Sequence, residues 1–128
     1  MIPPEIEGLL MKTAAQSDCA RLKVGAAIFK DGMLVAKGAN VSASPCDNET
    51  CTVNGSCKRK THAEITALMA CARDGISTKD AVIYVTALPC PGCMQAIKAA
   101  GIKKVFYKHY YAHHYKNNDH EGLELIQA

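Results

Sequence analysis

Seven cysteines stand in this chain of 128 residues, and an odd count means that disulfides cannot account for all of them. The first ten residues hold two Glu, two Pro and no basic residue, so no secretory leader is read there. The longest apolar runs, such as 24–29, are far too short to cross a bilayer. A secreted disulfide scaffold and a membrane protein are both disfavoured. The expectation is a reduced, cytoplasmic protein that uses cysteine for metal binding or catalysis.

Hydrophobic residues make up 48% of the chain and charged residues 21%, enough for an ordinary core in a single domain over 1–128. With no Trp and 5% aromatic residues, that core must be built from Ala, Val, Ile and Leu. The net charge of +3 is mild, and the densest basic run is Lys58-Arg59-Lys60. Neither amounts to a basic groove with stacking aromatics, which argues against nucleic acid as a partner.

Pro3 and Pro4 suit a first helical turn, and Ile6, Leu9, Leu10 and Thr13 continue one face. The runs 24–30 and 33–39 are joined by Asp31-Gly32, a two-residue hairpin signal. Residues 42–60 are polar and hold Pro45, Gly55 and three Cys, and read as a long loop that needs an anchor. Helical spacing returns at 61–74, a β-rich run at 81–86, a helix at 91–100 and a short strand at 105–108. A last helix is expected over 119–127, leaving the sheet without a fifth strand. Helices therefore flank a mixed sheet: an α/β chain in three α/β/α layers.

His62-Ala63-Glu64 opens one of these helices and Pro89-Cys90-Pro91-Gly92-Cys93 opens the next. Two Cys three apart at a helix start can face one metal, and the helix dipole favours their thiolate forms. Zinc held by His62, Cys90 and Cys93 would keep its fourth position open, as in a catalytic site. Glu64, two residues from His62, can serve that position without being a ligand. A purely structural zinc beside ordinary helix-start residues would leave Glu64 without a duty. Together these pieces form the H-x-E…P-C-x-x-C pattern of zinc nucleobase deaminases.

The stretch Thr61-His62-Ala63-Glu64-Ile65-Thr66-Ala67-Leu68, with Ile83-Tyr84-Val85-Thr86 and Pro89-Cys90-Pro91-Gly92-Cys93, resembles the deoxycytidylate (dCMP) deaminase family. Val24-Gly25-Ala26-Ala27-Ile28 and Ala100-Gly101-Ile102-Lys103-Lys104-Val105 extend the likeness over nearly the whole chain. The resemblance implies the cytidine-deaminase-like fold and hydrolysis of dCMP to dUMP and ammonia, with Glu64 as proton shuttle. It also implies a homo-oligomer, a hexamer in particular, and substrate contacts at Asn40, Ala63 and Tyr111. A second, structural zinc is expected on Cys46, Cys51 and Cys57, with Cys19 as fourth ligand. Cys71 is expected to be a small buried hydrophobe.

Where the family carries Gly-Tyr-Asn-Gly, this chain reads Gly38-Ala39-Asn40-Val41, a departure from the members regulated by deoxynucleoside triphosphates. His113 and His114 are read as surface residues that can meet a 5′-phosphate. Three alternatives are weighed: a deaminase for modified cytosine nucleotides, one for a base within RNA or single-stranded DNA, and a catalytically idle zinc module.

Overall fold

The computed structural model describes residues 2–18, 22–42, 52–53, 56–57, 60–109 and 122–127. Helix α1 (Pro4–Ala14) starts on a proline and carries Glu5 and Glu7 in its first turn, where the positive end of the helix favours them. Strands β1 (Gly25–Lys30) and β2 (Met33–Ala39) form the expected hairpin. Asp31 and Gly32 take φ of 53° and 79°, the two left-handed residues of a type I′ turn. The register slips between Ile28 and Phe29, a bulge that sharpens the twist of this edge pair.

Two-residue strands follow: β3 (Val41–Ser42), β4 (Thr52–Val53), β5 (Ser56–Cys57) and β6 (Lys60–Thr61). β3 pairs with β6 and β4 with β5, both antiparallel, so the segment expected as a structureless loop contains two short ribbons. The chain continues with α2 (Ala63–Arg73), β7 (Val82–Ala87), α3 (Pro91–Ala99), β8 (Lys104–His109) and β9 (Glu124–Gln127). The main sheet runs β2-β1-β7-β8-β9, antiparallel up to β7 and parallel beyond it.

The segment expected as a last helix corrects the sequence reading: 124–127 is the fifth strand of the sheet, parallel to β8. Gly122 takes φ 90°, and Leu123 and Leu125 pack into the core; 119–121 of the expected helix lie outside the described residues. The parallel edge of β8 supplies the ladder that a four-residue segment could not create alone.

Period-2 alternation sorts the sheet residues to two faces. Ala26, Ile28, Ile83, Val85 and Val105 meet Ala67, Leu68 and Cys71 of α2 and Met94 and Ile97 of α3. On the opposite face Ala27 packs beneath Ile2 and Leu10 at α1. There Tyr84 sits edge-on to Phe29 (centroids 5.4 Å, planes 81° apart) and stacked on Phe106 (4.6 Å, 13°), so three of the few aromatics form one ladder across β1, β7 and β8. The expected α/β/α layering holds.

Close approach of helices to sheet rests on glycine. A Cβ on Gly38 would lie 2.7 Å from the Ala67 amide nitrogen and 2.8 Å from Thr66 Cβ, so α2 seats on β2 only because that atom is missing. Gly38→Ala is expected to lower unfolding stability by about 1–3 kcal/mol, read from the denaturant midpoint. Gly8→Ala, with nothing within 4 Å, is expected to be neutral or stabilising. Equal midpoints for the two variants would refute the close-packing account.

Candidate metal centre

The site is assembled where two helices begin. His62 is the N-cap of α2, in extended backbone after β6, and Cys90 is the N-cap of α3, extended after β7. Pro91 fits the first helical position because its ring presets the helical φ, and Cys93 follows within the same turn. α2 and α3 lie side by side on one sheet face, so their first turns converge.

The ligand atoms of His62, Cys90 and Cys93 all lie within 4.8 Å of one another. His62 Nδ1 is 3.2 Å from Cys93 Sγ and 3.6 Å from Cys90 Sγ. Tetrahedral zinc with Zn–S near 2.3 Å and Zn–N near 2.0 Å needs ligand separations of about 3.5–3.8 Å. One imidazole nitrogen and two sulfurs at this spacing fit zinc in donor chemistry and in size. His62 therefore presents Nδ1, and its backbone carbonyl is held by the Thr66 amide (2.9 Å) and hydroxyl (3.0 Å).

The electrostatics agree. A hydrogen bond from the Cys93 side chain, with help from His62, pushes Cys90 down to about 3, so it stands as a thiolate. The same hydrogen bond, then burial, pushes Cys93 up, since a second buried thiolate beside the first is disfavoured. A bound cation relieves that conflict by accepting both as thiolates.

Glu64 is 4% exposed, in the first turn of α2. Burial pushes its carboxyl up to about 7, against a smaller opposing pull from its own backbone amide and from His62. Its charge acts on Cys93, which puts it within electrostatic reach of the ligands. A buried carboxyl poised near neutrality can both take up and release a proton. A cleft of about 400 Å³ opens over the ligands, lined by Thr61, His62, Ile65, Cys90, Gly92 and Cys93. Thr61, Ile65 and Gly92 stand in the motif stretches of the sequence but carry no expected site role, although each adjoins a ligand or Glu64.

Ala63 is 1% exposed, its methyl in the core at the head of α2. Asn40 follows β2, its Oδ1 accepting from the Val24 amide (2.8 Å) and its Nδ2 donating to the Leu22 carbonyl (2.7 Å). An amide of this kind has two donors and two lone pairs, so one of each is spent here on backbone. Cys71 is buried and contributes nothing to the cluster, as expected. Cys57 lies in β5 opposite Thr52. Cys19, Cys46, Cys51, Tyr111, His113 and His114 fall outside the described residues. Among the described residues no helix is long and apolar enough to cross a membrane.

Residues 7–109 match the family model for the cytidine and deoxycytidylate deaminase zinc-binding region. ComE operon protein 2 of Bacillus subtilis is 41% identical over 105 residues, covering 79% of this chain and 56% of that protein, so the chain spans little more than half of it. The deoxycytidylate deaminase of Mycobacterium phage D29 is 31% identical over 120 residues, 78% of this chain and 88% of that one. The crystal structure of the dCMP deaminase from cyanophage S-TIM5, in complex with dCMP and dUMP, superimposes with a TM-score of 0.79 at 33% identity and full coverage of both chains.

Proposed function

Because the chain belongs to the cytidine and deoxycytidylate deaminase family, we propose that it hydrolyses dCMP to dUMP, releasing ammonia. One observation carries the proposal: the three-ligand cluster at 3.2 and 3.6 Å, with a buried carboxyl beside it, stands in a chain that overlays along its whole length on an enzyme holding dCMP and dUMP.

His62, Cys90 and Cys93 would hold the zinc, which when bound would supply an activated water at neutral pH. Glu64 does the proton work. It takes a proton from the attacking water, holds it in a desolvated carboxyl, and passes it to N3 of the cytosine ring as C4 gains its oxygen. It then takes the second proton from the oxygen now on C4 and delivers it to the departing nitrogen, which leaves as ammonia. Water enters, ammonia leaves and no redox partner is needed. Asn40 meets the sugar through its remaining donor and acceptor, and Ala63 and Tyr111 border the base. Cys19, Cys46, Cys51 and Cys57 hold a second, structural zinc in the same proposal. The enzyme works in the reducing cytoplasm, where Cys90 and Cys93 stay reduced and available to the metal, and as a homo-oligomer, a hexamer in particular.

Ammonia release from dCMP, dCTP, deoxycytidine, 5-methyl-dCMP and a cytosine oligonucleotide tests the substrate assignment. The expected result is a kcat/KM for dCMP at least about tenfold above the others, the least that a misfitting methyl group costs in a shaped pocket. Preference for the oligonucleotide would overturn it, as would a monomer by light scattering for the assembly.

A further inference from the structure

The turn after α1 is tied to the cleft by a chain of hydrogen bonds that the chemistry above does not use. Ser17 is 4% exposed, and its hydroxyl donates to the Asn40 carbonyl at 2.7 Å. The Asn40 side chain, through Val24 and Leu22, holds the segment entering β1, and the Asn40 amide donates to the Val24 carbonyl at 3.3 Å. The next residue, Val41, pairs with Thr61, which lines the cleft and directly precedes His62. The β3–β6 ribbon is only two residues long, so it has little stability of its own and depends on what anchors its ends.

We infer that Ser17 is a positioning residue: through Asn40 and Val41 it fixes the cleft wall at Thr61, and so sets how tightly a nucleotide is held there. The inference deepens the dCMP assignment. A hydroxyl donating to a carbonyl inside the protein is worth a few-fold in an equilibrium constant. Ser17 acts on the wall and not on Glu64 or the ligands, so its loss falls on binding and leaves the chemical step alone.

The test compares Ser17→Ala with Thr13→Val in the full-length, zinc-loaded protein. Thr13, on α1 itself, is as fully buried as Ser17, but its hydroxyl donates to the Leu9 carbonyl within that helix. In Ser17→Ala, KM for dCMP is expected to rise about three- to tenfold with kcat within about twofold and zinc content unchanged. Amide exchange at residues 41, 42, 60 and 61 is expected to quicken by a similar factor, while 83–85 keep their protection. Thr13→Val is expected to alter stability without moving KM. Unchanged exchange in the ribbon would overturn the inference, and faster exchange with an unchanged KM would reduce Ser17 to a structural residue. A wild-type enzyme inactive on dCMP would refute the substrate instead; the KM comparison is then made on whichever compound of the panel it deaminates.

Discussion

Glu64→Gln is expected to lower kcat for dCMP by about a thousandfold or more, while zinc content stays at the wild-type level. Removing a general acid–base group costs roughly 10²–10⁴ in rate, and here one carboxyl serves both proton transfers. Gln has nearly the same shape, so the packing of α2 against the sheet survives the change. It cannot ionise, so it also escapes the burial that pushes Glu64 up to about 7. The variant should therefore melt at or above the wild-type temperature, the pattern of a residue kept for function at the expense of stability. Steady-state ammonia release, metal analysis and a thermal melt on the same preparation decide it. Retained turnover would remove Glu64 from the mechanism, and lost zinc would make it a structural support for the ligands.

The metal centre was legible because its parts are local. Pro91 and the Cys-x-x-Cys spacing mark a helix start, and His62 and Glu64 stand two apart at another, so each half of the site can be read without knowing the fold. Bringing the halves together needed only that α2 and α3 share a sheet face, which the β-rich run between them implies. The elements that escaped are those whose stability is not local. Glu124–Gln127 has no usable period and becomes a strand only beside β8. β3 and β6 are joined across the insertion by two residue pairs, which no propensity can announce. Asn54-Gly55, between β4 and β5, is a hairpin signal of the same kind as Asp31-Gly32 and was readable. The Asn40 clamp was not, because its partners lie 16 to 23 positions away.

Cys93→Ala is expected to abolish detectable deamination and to remove one equivalent of zinc per chain relative to the wild type. Residues that only orient ligands cost roughly 10–100-fold in metal affinity when changed, so the loss of a ligand itself should exceed about a hundredfold. His62 and Cys90 would remain, but two donors cannot close a tetrahedral site against water and buffer. Cys71→Ala is the matched control. Cys71 is as buried as Cys93, at 1% against 3% exposed, and lies on α2 among apolar neighbours. Its truncation is expected to cost about 1 kcal/mol of stability and leave zinc and kcat intact. Metal analysis of the two variants separates burial from ligation, since equal zinc in both would mean that Cys93 is not a ligand. Zinc takes cysteine as thiolate, so protons remaining on the ligand sulfurs must leave when it binds. Zinc uptake should then release protons, measurable in a weakly buffered titration of the wild type.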